Sequence, residues 1–239
     1  GIVATPNDFG MQGDRPTHPQ LLEWLARDLV DHGWRLKRLH KMIMMSKAYQ
    51  LSSEYDPAKT AADANNLYHW RWTPRRLEAE AIRDSLLKVS KLLDTTMYGP
   101  GSLRADMRRR SVYFFIKRSE PIPSLMLFDW PEHLVGIGRR SSTTIAPQAL
   151  MFLNSPQARR YAEGLADRLK GLRGSRIINE AYRIAYGRTP TIAEVAEGQE
   201  FILQQKRLYQ TKGSTDKAKA EMVDYCQSLL SLNEFLYVR

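Results

Sequence analysis

Apolar residues recur at helical spacing along most of the chain. Residues 1–17 are punctuated by Pro6, Gly10, Gly13 and Pro16, which predicts a loop. Leu21, Leu22, Leu25 and Leu29 then form the stripe of a helix over about 19–32, with Pro19 suited to its first position and Gly33 to its C′ position. Leu36, Leu39 and Ile43 line a second helix over about 35–47, and the tight turn at Gly33 predicts a helical hairpin. The polar stretch 51–66 reads as a surface loop. Tyr68, Trp70 and Trp72 alternate with His69 and Arg71, the period of a strand. Thr73-Pro74 opens a long helix to about Asp94, lined by Leu77, Ala81, Leu86, Val89 and Leu93, and Gly99-Pro100-Gly101 breaks the chain.

Ser111 to Lys117, rich in aromatic and β-branched residues, is the best strand candidate, and its expected partner is 68–72. Residues 119–142 hold Pro121, Pro123, Pro131, Gly136 and Gly138 and predict a long irregular connection, a setting that often carries function. Helices follow. One begins near Ala146-Pro147 and is kinked or restarted at Pro156, with Ser155 as cap; another spans Ser175 to Tyr186 and closes at Gly187. Thr191 to Glu194 reads as a capping box, in which hydroxyl and carboxylate satisfy each other's exposed amides. A last helix over about 216–231 turns Met222, Tyr225, Cys226 and Leu229 inward. The expected fold class is mainly α: a multi-helix domain with a minor two-stranded β element. The expected organisation is a single module, 1–239, with subdomains at about 1–100 and 101–239 sharing a core.

Composition narrows the classes. With 43% hydrophobic residues in 239, a core forms without disulfides or metals. No apolar run approaches the roughly 20 residues of a membrane-spanning helix. One cysteine, Cys226, excludes an internal disulfide and a Cys-x-x-Cys-His haem site; on an apolar helix face it reads as a small buried hydrophobe. The net charge of +10 favours acidic partners. Gly1-Ile2-Val3-Ala4 reads as the middle of a longer chain, so a module of a larger protein is expected.

Catalytic motifs are sparse. Asp8-Phe9-Gly10 has no glycine-rich loop or His-Arg-Asp segment ahead of it and reads as a turn. His18, His32, His40, His69 and His133 include no His-x-x-x-His pair, so no metal site is predicted. His18 reads as a capping or packing residue. Glu78 and Glu80 suit the start of a helix, and Glu78 suits a structural ion pair with Arg75 or Arg83. No cofactor motif is present in this chain.

Arginine supplies the one constellation above background. Arg104, Arg108, Arg109, Arg110, Lys117, Arg118, Arg139 and Arg140 flank the second strand candidate and the long connection. Guanidinium forks bind carboxylate, sulfate and phosphate in bidentate fashion. An anion site is therefore expected from Arg109, Arg110, Arg139 and Arg140 with the hydroxyls of Ser141 and Thr144, aided by amides at the helix start near Ala146. Asp129 and His133 are the candidates for acid–base chemistry beside it.

Four segments resemble a known family: Asp8-Phe9-Gly10 with Pro16-Thr17-His18-Pro19-Gln20-Leu21-Leu22-Glu23-Trp24-Leu25; Arg75 to Asp84; Arg139-Arg140 through Ala146-Pro147-Gln148-Ala149-Leu150 to Ser155; and Leu232 to Val238. In order and spacing they resemble the C-terminal uncharacterised domain of large exported proteins of Planctomycetes and Verrucomicrobia, the planctomycete cytochrome-associated "PSD" domain. The resemblance implies an upstream uncharacterised domain, often a c-type cytochrome domain before it, and export to the periplasm or cell surface. It implies no activity and no catalytic residues.

Two functions follow as expectations. The first is a domain of unknown function acting as a non-enzymatic interaction module, packing on upstream domains and binding an acidic partner. The alternative is an enzyme or lectin-like domain acting on acidic, sulfated polysaccharide through the arginine constellation. Nucleic-acid binding through the basic helix 35–47 lacks an aromatic–basic recognition motif.

Overall fold

The computed structural model describes residues 2–117, 119–131, 137–211 and 220–238. The chain divides into two compact units. The first comprises Gly1–Arg75 with Gly136–Arg139 and Val238–Arg239; the second comprises Arg76–Val135 and Arg140–Tyr237. The division falls at Arg75 and not near residue 100, because the helix that follows Arg76 is built into the core of the second unit.

In the first unit, α1 (Pro19–Asp31) and α2 (Leu36–Met44) form the hairpin that the spacing predicts. Gly33 takes φ +69° at the turn, a backbone region open to glycine at no steric cost. The apolar stripes of this hairpin are not buried, however. No residue among 2–75 is buried, and Trp24, Val30, Leu36 and Met44 are each more than half exposed. A short α3 (Pro57–Ala62) is capped by Asp56, whose carboxylate accepts from the amides of Ala58 and Lys59. Asp8-Phe9-Gly10 is a turn, closed by the Gly10 amide on the Asp8 carboxylate at 3.2 Å.

Residues 68–72 are not a strand. Asn66 and His69 both take φ +53°, which curls the segment. The Asn66 side chain holds the curl by donating to Arg71 O and Thr73 Oγ1 and accepting from the Trp70 amide. Asp63 accepts from the amides of Leu67 and Tyr68. Alternation of aromatic and polar residues here belongs to a loop, in which Trp70 Nε1 donates to Asp63 O at 3.0 Å and Trp72 packs on Tyr49. His18 does not cap α1 with its side chain; its ring packs on Tyr68 and His69 at 6.0 and 6.1 Å.

The second unit carries the core. Its first helix, α4 (Ala79–Val89), buries Ile82, Leu86 and Leu87. It starts later than Thr73-Pro74 predicts, because Arg75–Arg76 is instead β1, paired antiparallel with β2 (Tyr237–Val238). Ser111–Tyr113 is a turn of 3₁₀ helix, not a strand, and Phe114 makes a single bridge to Ser102. After α5 (Pro123–Met126) come α6 (Ala146–Asn154) and α7 (Pro156–Arg168). Pro156 restarts the helix, with Ser155 Oγ accepting from the Ala158 amide at 3.0 Å.

Ala158, Tyr161, Ala162, Leu165 and Ala166 give α7 a continuous buried stripe. It packs on α10 (Ala220–Ser231), which turns Tyr225, Cys226, Leu229 and Leu230 inward. Gly164 lets α7 approach α4: a Cβ there would lie 2.5 Å from Ser90 O. Burial pushes the Cys226 thiol up to about 12, so it is an inert core residue. α8 (Ser175–Tyr186) ends at Gly187 with φ +73°, α9 (Ile192–Thr211) begins at the Thr191–Glu194 capping box, and α11 (Asn233–Leu236) leads into β2. Among the described residues, no helix is long and apolar enough to cross a membrane.

Candidate functional site

A polar network is built on α4 by Glu80, Arg83 and Asp84. Arg83 is buried among apolar groups. It donates to the carbonyls of Met107 and Arg109 and to Ser111 Oγ at 3.2 Å, over the ring of Phe114 at 4.6 Å. Those bonds hold the 107–111 segment against the helix. Ser111 returns a hydrogen bond to Asp84 at 2.7 Å, and Asp84 also accepts from the Ser111 amide at 2.8 Å.

The candidate arginines attach to this frame one by one. Arg109 donates to the carbonyls of Thr96, Tyr98 and Pro100 and stacks on Tyr113 at 3.6 Å, so it closes the turn at 96–100. Arg110 reaches Asp84 at 3.6 Å and stays largely exposed. Arg140 pairs with Glu80 at 2.7 Å and Glu78 at 3.2 Å. Glu80 also accepts from Trp130 Nε1 at 2.9 Å. Burial raises the Glu80 pKa, but the bond and charge of Arg140, the Glu80 amide and the Trp130 bond together outweigh it and leave the carboxyl below its usual range. The partner of Glu78 is therefore Arg140, not Arg75 or Arg83, and Glu80 shares it. Arg139 is exposed and belongs to the first unit. Ser141 is exposed, and Thr144 Oγ1 lies 3.4 Å from the Tyr237 hydroxyl.

Asp129 sits at φ +60° beyond α5. Its carboxylate accepts from Arg76 at 2.5 Å, from the Thr143 amide at 2.8 Å and from Thr143 Oγ1 at 2.7 Å. Burial raises its pKa, yet the Thr143 and Arg76 hydrogen bonds dominate and lower it. Both oxygens are occupied and the group is held ionised, which suits a clamp between α5 and the strand ahead of α4 and not a proton donor. His133 and Arg118 lie outside the described residues.

Each donor of Arg109 and Arg140 that these contacts describe is thus spent on a protein acceptor, and Asp129 on a structural bond. Arg76 reaches Asp129 and Thr143 across 53 and 67 residues of chain, and Arg140 reaches Glu80 across 60. Spacing along the sequence carries no signal for such pairs. Among the described residues, no group of three or more His, Cys, Asp or Glu side chains is arranged to hold a metal ion.

A family model described as PSD1, a protein of unknown function (DUF1553), matches residues 1–202. The chain belongs to this family. The match spans the first unit's hairpin, the α4 network, and α6 to α8 of the PSD1 chain. No curated protein matches the chain, and no solved structure does.

Proposed function

We propose that this PSD1 chain is a non-enzymatic interaction module whose first unit docks on a folded neighbouring domain of the same protein. One observation carries the reading: no residue among 2–75 is buried, and Leu21, Leu22, Leu36 and Ile43 of the α1 and α2 stripes are exposed. Helices of 13 and 9 residues are marginal in water on their own and gain most of their stability from packing an apolar face. Apolar surface of this kind marks an interaction site. The resemblance to exported, cytochrome-associated proteins implies an upstream domain as the neighbour. Arg35, Lys37 and Lys41 beside the stripe of α2 favour an acidic surface on it.

Hydrogen exchange on the full-length protein and on this chain alone tests the reading. Amides of α1 and α2 are expected to exchange at least about tenfold more slowly in the full-length protein. Equal rates in the two samples would overturn it.

A further inference from the structure

The second unit holds a basic cleft that none of the contacts described so far uses. Two pockets of about 480 and 430 Å³ adjoin through shared walls at Arg168 and Glu180. They lie between the C-terminal end of α4, the C-terminal end of α7 and the outward face of α8. Lys88 and Lys91 enter from the first, Arg168 from the second and Arg176 from the third. Leu172 and Leu93 supply apolar floor, and Asn179 and Thr189 supply uncharged polar groups.

The charge of this cleft is only partly compensated within the protein, by Glu180 on the shared wall, which also attracts Arg168. Glu180 is taken by Arg183 through bonds at 2.8 and 2.5 Å. Arg168 is held in place by donating to Val89 O at 2.7 Å, a neutral acceptor that leaves its full charge. No carboxylate lies within ion-pairing distance of Lys88, Lys91, Arg168 or Arg176 among the described residues. Lys88 has a structural purpose in the last turn of α4, where a cation suits the helix dipole. Arg176 does not: it stands in the first turn of α8, where a cation opposes the dipole, and that turn has no side-chain cap. Its position gains nothing from the helix.

We infer that this cleft binds an acidic oligosaccharide, whose sulfates or uronic carboxylates are held by Lys88, Lys91, Arg168 and Arg176. Guanidinium and ammonium donors around a concave surface match tetrahedral or planar oxyanions. Apolar floor and amide or hydroxyl groups suit the faces and hydroxyls of a sugar ring. No aromatic side chain lines either pocket, so there is no platform on which a nucleic-acid base would stack. This inference does not rest on the docking of the first unit.

Isothermal titration at low ionic strength tests it with three probes: a heparin-derived hexasaccharide, a carboxylate-only oligogalacturonate and an oligothymidylate. The hexasaccharide or the oligogalacturonate is expected to bind, and whichever binds identifies the anionic group. The double variant Lys88→Gln/Arg176→Gln, at exposed positions without partners, is expected to bind at least about tenfold more weakly. The charge-matched variant Lys206→Gln/Arg207→Gln, at exposed positions of α9 outside the cleft, is expected to bind within about twofold of the parent. The inference is overturned if neither sugar binds, if the oligothymidylate binds as tightly as the sugars, if the cleft variant keeps its affinity, or if the α9 variant loses as much. Unchanged thermal unfolding of the cleft variant separates a lost site from a lost fold.

Discussion

The two units use the same kind of amphipathic helix to opposite ends. In the second unit the stripe of α7 meets that of α10, and Ala162, Leu165 and Cys226 reach zero exposure. In the first unit the stripes of α1 and α2 are as regular, yet Leu21 and Leu36 remain 45% and 57% exposed. An apolar stripe becomes core only where a second one faces it. The pattern states a readiness to be buried, and the surroundings state whether burial happens.

Truncation in the core of the second unit gives the largest effect. Leu165→Ala is expected to lower the free energy of unfolding by about 4 kcal/mol, read from urea denaturation, because it leaves a void at a site without solvent access. A loss under about 1 kcal/mol would mean that α7 and α10 are not tightly packed. Asp129→Ala comes next, at about 3 kcal/mol, since it strands the buried Arg76 guanidinium and frees Thr143. That figure would also show the carboxylate to be structural.

Gly164→Ala follows at about 2 kcal/mol, because the added methyl meets backbone at Ser90 and neither helix yields easily. An acid titration sharpens the contrast further. The Arg188 guanidinium bonds Glu194, and the Thr191 amide adds to it, holding the carboxyl at about 2 against an ordinary 4.5. A depressed folded-state value stabilises the protein above about pH 4.5, and this contribution fades as pH falls toward about 2. Thermal unfolding of Glu194→Gln is expected to depend less on pH across that window than the parent does. The smallest effect belongs to the first unit. Leu21→Ala in this chain alone is expected to change stability by less than about 0.5 kcal/mol, because the residue is already 45% exposed. A cost as large as that of Leu165→Ala would erase the distinction between the units.

Local features of the molecule were readable in advance. Helix starts at Pro19, Pro156 and Ser175, stops at Gly33 and Gly187, and the Thr191–Glu194 box all follow from a few consecutive residues. The mainly helical class and the inertness of Cys226 follow from periodicity. Strand candidates failed where local conformation overrode alternation, as at Asn66 and His69. The real strand pair joins Arg75–Arg76 to Tyr237–Val238, from opposite ends of the chain. The candidate arginines were visible as a cluster in sequence, but not the acceptors that occupy Arg109 and Arg140. The basic cleft was invisible, because its lining comes from three segments, each unremarkable alone.

From its residues alone, then, this chain specifies where helices begin and end, which faces are apolar and how strongly it is charged. Such properties arise from bonds within a turn or two, so neighbouring residues suffice to encode them. Which stripes find a partner, which guanidinium groups are neutralised and which cations gather around a cleft are settled only when distant segments meet. Desolvation and ion pairing depend on distances in space, and those are products of the whole folded chain.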